Sequence, residues 1–446
     1  MKLSWTLHRP DLGLFRLDRD GNLVFPKTLL LDFSVILWLC NAPLRLVIAK
    51  VLSMVGHKEA QEILTGFIIY TPILLYILIS GKIPWKYFHW FLIACAGFFG
   101  ITYLMHPEYE HWLTRDAFGI SDSIFSPIRG AIWGFFMIEI SGDVKRLWRN
   151  FQFAAAGTFL YQMYLWVQAK RAGYWDFVDS SGAMARRPYS LDFGYAMAFV
   201  LLVVFVTYTF EKKRWMLLMS ALCGILILDS GSRGSLVCLF AFALLFLVDA
   251  KWNKKERIRN FFAVSAAGGV ALLSMNYLIK LIVILADKFH ITSRTITMLA
   301  EGEAMDDNGR SDIHKLILTH IKEKPLTGYG AFGDRQFIGP KFNWGYSHSI
   351  VYEMWADFGV ILGTLFLGGL VFLIAKAIFE EKDARYRGAM MVVASVGARL
   401  ALSNTFWGDP YFWMMVALLT KWLFDLRKRN PGISAQTLLK QLQEAR

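Results

Sequence analysis

The chain has 446 residues, 55% of them hydrophobic and 15% aromatic, with a mean hydropathy of +0.40 and a formal net charge of +13. A soluble domain of this length needs less apolar mass for its core. Many apolar runs reach the ~17–25 residues that cross a ~30 Å hydrocarbon layer as helix, and they are continuous rather than alternating, which excludes a β-barrel.

The composition predicts an all-α polytopic membrane protein, with residues 1–446 forming a single integral membrane domain. The basic excess reads as the cytoplasmic anchors of the positive-inside rule. No aromatic and basic interleaving marks a soluble face, so no nucleic acid is expected as a partner. Cys40, Cys95, Cys223 and Cys238 all lie in apolar runs without CxxC spacing, which implies neither a disulfide nor a metal site. The first 27 residues are polar, with Arg9, Arg16, Arg19 and Lys27, and no cleavable signal peptide is expected.

Taken in order, the apolar runs predict about twelve spans: 28–43, 62–80, 87–105, 124–142, 151–168, 191–210, 214–230, 233–249, 261–286, 348–379, 388–403 and 410–426. Asp32, Asn41, Pro43 and Arg45 interrupt the first. The tenth is long enough to tilt or to extend beyond the bilayer. The connectors alternate in charge. One set carries Lys82 and Lys86; Lys145, Arg146 and Arg149; Lys212, Lys213 and Arg214; the bases from Lys251 to Arg259; and Lys382, Arg385 and Arg387. By lysine and arginine bias this set, with both termini, is cytoplasmic. The long polar stretch 287–346, between spans nine and ten, is then a large extracytoplasmic loop. Within it, Ser311 to Ile321 reads as an amphipathic helix with one apolar face, suited to an interface, and Pro325 stops it. Gly328, Gly330 and Gly333 mark a turn-rich segment after it.

Three residues in this frame can carry chemistry. Arg233 stands in Asp229-Ser230-Gly231-Ser232-Arg233-Gly234, a short outward turn before a span. It is either a snorkelling arginine or a partner of Asp229, or else an anion hook beside a helix N-terminus. Arg310 precedes a helix that Ser311 or Asp312 can cap. It is either an ordinary solvated arginine or a planar fork for phosphate. His348 stands at the mouth of the tenth span, either as a hydrogen-bonded interfacial histidine or as a proton acceptor. Tyr352 shares its helical face, whereas Glu353 matches that face poorly. Arg186 and Arg187 lie on the same outer side, as does Arg294, and each reads first as an ordinary loop residue. Asp306-Asp307 and the remaining histidines lack metal-ligand spacing, so no metal and no cofactor is expected.

The order of motifs carries more than any one of them. Ser232-Arg233-Gly234 precedes a span. Gly309-Arg310-Ser311 and Pro325-Leu326-Thr327-Gly328-Tyr329-Gly330 lie in the large loop. Tyr346-Ser347-His348-Ser349 and Asp357-Phe358-Gly359-Val360 follow. Over roughly 190–380 this resembles the O-antigen ligase and Wzy-type polysaccharide polymerase superfamily. Members more often carry asparagine where this chain has Ser349. The resemblance implies a metal-independent inverting glycosyltransferase of the bacterial inner membrane. Its donor would be an undecaprenyl-diphosphate-linked glycan, and its acceptor a glycan or a lipid-linked glycan. It implies that Arg233 and Arg310 hold the diphosphate and that His348 activates the acceptor hydroxyl, with Arg187, Tyr346 and Glu353 as accessory residues. The Tyr-Ser-His-Ser and Asp-Phe-Gly-Val segments resemble polymerases of O-antigen, capsule or exopolysaccharide more closely than ligases that transfer the glycan to lipid A-core. A transporter is the reading from another class, but the three residues gather at one face and no matched halves are visible.

Overall fold

The computed structural model describes residues 4–6, 16–17, 23–55, 60–115, 119–178, 184–253 and 310–429, apart from positions 127, 129, 188, 250, 343 and 344, together with 255, 256, 258, 259, 262, 284 and 288. The expected ninth span (261–286), Arg294 and Asp306-Asp307 therefore lie almost wholly outside the described residues. The architecture is an α-helical bundle. Its helices are α1 (Leu29–Leu39), α2 (Asn41–Val55), α3 (Gln61–Ser80), α4 (Phe88–Met105), α5 (Glu110–Thr114), α6 (Ile132–Ser141), α7 (Val144–Ala172), α8 (Leu191–Glu211), α9 (Arg214–Asp229) and α10 (Arg233–Val248). After the large loop begins come α11 (Arg310–Glu323), α12 (Arg335–Ile338), α13 (Ile350–Phe358), α14 (Val360–Glu380), α15 (Ala384–Gly397) and α16 (Pro410–Arg429). Strands are minor. Ser4–Thr6, Arg16–Leu17 and Leu23–Pro26 form a small sheet before α1, and Trp175–Val178 pairs antiparallel with Met184–Arg187 in a hairpin between α7 and α8.

Among the described residues, α3, α4, α8 and α14 are each long and apolar enough to cross a membrane. The pair α1 and α2 makes a fifth if its 82° bend is read as one broken span. The break falls at Cys40, just before Asn41 and Pro43. Proline restricts the residue before it and cannot donate a backbone hydrogen bond, so helical continuity is weakest there. The expected fourth span, 124–142, is α-helical only over the ten residues of α6. At ~1.5 Å per residue these cover ~15 Å, half a hydrocarbon layer, and every one of them except Trp133 is buried.

The expected tenth span, 348–379, is likewise two helices. Gly359 takes a φ of 79° and turns α13 back against α14, where the Trp355 indole donates to Thr364 at 2.9 Å. A Cβ on Gly359 would stand 2.3 Å from the Leu326 carbonyl, and one on Gly328 (φ 64°) would stand 2.6 Å from the Gly359 amide. The two glycine segments interlock through Tyr329 N–H to Ala356 O (2.7 Å), Gly330 N–H to Asp357 O (3.0 Å) and Val360 N–H to Pro325 O (2.7 Å). The amphipathic helix of the loop forms as α11, and it takes Arg310, Ser311 and Asp312 into its first turn. It buries Ile313, Ile317 and Ile321 against Ile338 and Ala356, so this face packs on protein and not on the bilayer surface.

The basic connectors gather at one end of the bundle and are held there by buried acids. Asp32, 1% exposed, accepts from Arg146 (2.8 Å), Arg149 (2.6 Å) and Asn150 (2.9 Å). The Glu139 carboxylate accepts the backbone N–H groups of Lys86, Tyr87 and Phe88 at 2.9 Å and so stands at the positive N-terminus of α4. Asp249 pairs with Arg387 at 2.6 Å.

Gly359→Ala should lower the stability of the detergent-solubilised protein by more than ~1 kcal/mol, because φ 79° and a backbone contact both oppose a Cβ. Gly369→Ala, inside α14 with nothing near, should be neutral or raise it by up to ~1 kcal/mol. Thermal unfolding of both variants beside the parent checks the pair, and equal melting temperatures would refute the account of the break.

Candidate functional site

At the other end of the bundle the large loop, the 398–409 segment and the start of α8 meet. Their positions follow from α13. Glu353 and Asp357 are one helical turn apart and both fully buried, at 0% and 1% exposure. Glu353 accepts the Thr405 hydroxyl and the Phe406 N–H (3.0 Å). Asp357 accepts the Gly333 N–H (3.0 Å) and the Trp407 indole (2.7 Å). A third buried acid, Asp334, accepts the Ser347 N–H at 2.8 Å. Buried Arg335 acts on all three electrostatically, and its guanidinium lies 3.2 Å from the Phe332 ring centroid. Burial, and then repulsion from Asp334, push Glu353 and Asp357 well above the usual carboxylate range.

This scaffold sets His348. Ser347, the residue before it, is fixed on both sides, by Asp334 at its N–H and by His314 Nε2 3.1 Å from its carbonyl oxygen. His348 takes a φ of 58°, a left-handed conformation that non-glycine residues rarely adopt. Phe332 and Asn404, which flank the same region, share it, with φ of 60° and 69°. Such backbone persists where surrounding contacts over-determine it. The His348 ring is 7% exposed and packs 4.4 Å from the Tyr346 ring. Burial first, then the charge of Arg310 and then His314, lower its proton affinity to a pKa of about 3. His348 is neutral at neutral pH and able to accept a proton.

Arg310 opens α11 and donates through Nη1 to the Leu402 carbonyl. Its charge reaches His348, Tyr346 and Tyr195, which places it between the histidine and the start of α8. The backbone of Arg233 opens α10 at the same place. A Cβ on Gly234 would stand 2.0 Å from the Tyr195 hydroxyl, so this turn lies directly against Tyr195. The Arg233 side chain lies outside the described residues. Asp229, the alternative partner for it, accepts from Lys170 and from the Trp166 indole, each at 2.7 Å.

Beside these residues lies a chamber of about 890 Å³. The bend between α1 and α2, α7, the hairpin, α8, the 399–404 segment and the start of α16 form its wall. Of the expected accessory residues, Arg187 and Tyr346 line it. Glu353 does not, because its carboxylate is consumed by Thr405 and Phe406. Sequence reasoning missed Tyr195, Gln162, Arg399 and Asp409. Arg399 lines the chamber with its Nε 2.6 Å from Asp409 and its guanidinium 5.3 Å from both the Tyr195 and Tyr411 rings. A signal existed, since Gln162 and Arg399 are polar residues inside apolar runs, where such groups mark functional interiors.

A low-affinity neutral histidine has a stability consequence with a fixed sign. Between pH 6.5 and about 3 the unfolded chain binds a proton at His348 that the folded chain does not, so this residue's contribution to stability is lost as pH falls through that window. Acidifying from pH 7 to 5 should destabilise the parent more than His348→Ala, by about 1–2 kcal/mol. Chemical denaturation at the two pH values measures the difference, and parallel losses in both proteins would show that His348 titrates normally.

Residues 218–367 match the family described as O-Antigen ligase, and the segment spans the Arg233 turn, Arg310, the interlocked glycine segments and His348. A search of curated proteins returns no match. With the membrane-crossing helices, the match gives an enzyme of the glycosyltransferase-like ligase and polymerase type that handles lipid-linked glycans in a membrane. Residues 218–367 are thus similar to the O-antigen ligase family, whose match covers the part of the chain that holds the site.

Proposed function

We propose that the chain polymerises undecaprenyl-diphosphate-linked repeat units of a cell-envelope polysaccharide at the outer face of the bacterial inner membrane. The observation that carries this reading is the neutral, buried His348 lying within the field of Arg310, beside a chamber on the membrane-span ends opposite the basic connectors. By the charge bias of those connectors the termini are cytoplasmic and the site faces outward, in a topology of about twelve spans.

In the proposed reaction an acceptor hydroxyl attacks the anomeric carbon of the donor sugar from the face opposite the diphosphate. The new glycosidic bond forms as the bond to the diphosphate oxygen breaks, with inversion. The hydroxyl proton passes to His348, and the negative charge that grows on the leaving diphosphate is met by Arg310 and Arg233. Two guanidinium groups and a helix N-terminus can supply that stabilisation without a metal ion. Tyr346, whose hydroxyl burial pushes up to about 12, stays protonated with its ring against the histidine. Polymerase rather than ligase rests on the Tyr346 to Ser349 and Asp357 to Val360 segments. The second reading is a ligase with a foreign terminal acceptor, and the family match fits either.

Purified protein with lipid-linked repeat units should give a ladder of lengthening products, and His348→Ala should reduce its rate by about 10²–10⁴-fold. A full-rate ladder from that variant would remove the histidine from the mechanism. A single transfer to an added lipid A-core acceptor, without any ladder from donor alone, would select the ligase. Arg310→Ala should raise the donor concentration needed for half-maximal rate, and an unchanged value would dismiss the anion contact.

The pH profile carries a separate expectation. Activity through His348 rises with pH as its proton leaves. A bound diphosphate offsets the Arg310 charge, so the acid limb of kcat should lie at higher pH than that of kcat/KM. Coincident limbs would show that the donor charge does not reach the histidine.

A further inference from the structure

We infer that the chamber beside His348 is a saccharide-binding site, which takes sugar units of the lipid-linked substrate and not its polyprenyl tail. The inference rests on the glycosyltransferase reading above and names which part of the substrate occupies which space.

The lining decides between sugar and hydrocarbon. Gln162 projects from α7 into the chamber, is 5% exposed, and its amide oxygen has no hydrogen-bond partner among the described residues. A buried acceptor without a donor is costly, and a hydrocarbon chain would leave it so. Asp122, Asp192, Arg187 and Arg399 line the same space, and a prenyl tail packed there would strip water from all four. A polyhydroxylated ligand can donate to Gln162 and Asp192 and accept from Arg399. Arg399 is held ready for this, because Asp409 fixes its Nε at 2.6 Å and Tyr195 and Tyr411 flank its plane.

The rest of the lining suits the apolar face of a sugar ring. Trp175, Tyr195 and Tyr411 present aromatic surface to the same space. At about 890 Å³ the chamber lies near the upper end of ordinary small-ligand pockets (about 300–1,000 Å³), enough for more than one sugar ring. Its connection to the reacting centre is Tyr346, which lines the chamber and packs 4.4 Å from His348. The bend between α1 and α2 fits the same purpose, since irregular backbone at membrane depth is tolerated where it lines a polar cavity.

The test uses the full-length protein in lipid nanodiscs and two probes. One is undecaprenyl diphosphate alone; the other is the undecaprenyl-diphosphate-linked repeat unit extracted from cells that lack this protein. Gln162→Leu keeps the side-chain volume while removing the unpaired amide, so it should fold at least as well as the parent. Asp192→Asn is the second variant. Each should weaken binding of the sugar-bearing lipid by about two- to tenfold, as the loss of one hydrogen bond does, and leave binding of bare undecaprenyl diphosphate unchanged. Equal weakening toward both lipids would overturn the inference by placing the diphosphate in the chamber. Unchanged binding of both in folded variants would overturn it by leaving the chamber unoccupied. In either case Arg310-dependent binding by the parent would leave the glycosyltransferase reading standing. A parent that binds neither lipid and forms no product would overturn that reading and the inference together.

Discussion

The site depends on two carboxyl groups of one short helix. α13 has only nine residues, too few to hold a fixed position by backbone hydrogen bonding alone. Glu353 and Asp357 compensate by both holding the segment before α16, Glu353 through Thr405 and Phe406 and Asp357 through Trp407, while Asp357 also holds Gly333 of the large loop. Three pieces of chain far apart in sequence thereby share one rigid reference. His348 stands two residues before α13, so its left-handed backbone is held by contacts made elsewhere, as stored strain requires. Removing one partner from such a buried charged cluster typically costs about 3–5 kcal/mol, because the remaining charges lose their compensation. The accessory role expected for Glu353 is thus replaced by a positional one.

Much of this was legible in the sequence, though in a different form from the one the fold uses. The loop helix was readable because Ile313, Ile317 and Ile321 recur at helical spacing, and periodicity survives translation into structure. Its partner was not, since spacing says that a face is apolar and not what covers it. The Pro325 to Gly330 and Asp357 to Val360 segments were readable as motifs and opaque as geometry. Only the folded chain shows that Gly328 and Gly359 approach too closely for any side chain between them. The break at Gly359 lies inside an apolar run of span length, where hydropathy averages over the one residue that matters. Gln162 and Arg399 were hidden for the same reason, diluted within apolar segments although their polarity was the useful signal.

The two ends of the bundle treat buried charge differently. At the basic end each buried acid is saturated: Asp32 by two arginines and an asparagine, Glu139 by three backbone amides, Asp249 by Arg387. These are closed arrangements that fix helix ends. At the chamber end Arg399 is pinned at one nitrogen by Asp409 and otherwise bounded by aromatic rings. The Gln162 amide oxygen is left without a partner among the described residues. Unpaired polar atoms occur at the basic end too, where Asn150 Oδ1 and the Trp148 indole have no partner among the described residues, but those do not line the chamber. Polar groups left open around a cavity are therefore better understood as directed at a ligand than as imperfect packing.

The same contrast bears on the chemistry. A histidine with so low a proton affinity is a weak base in the empty site, and two of the causes, burial and the Arg310 charge, respond differently to substrate. A donor diphosphate leaves the burial in place and compensates the arginine. The histidine would then strengthen as a proton acceptor when the leaving group is seated and remain feeble otherwise. In the proposed reaction Arg310 would have two roles that share one charge: to stabilise the departing diphosphate, and without it to keep the proton affinity of His348 low. The Leu402 carbonyl that accepts from its Nη1 fixes the guanidinium to the same 398–409 segment that Glu353 anchors. The geometry on which that coupling depends thus traces back to the buried carboxyls of α13.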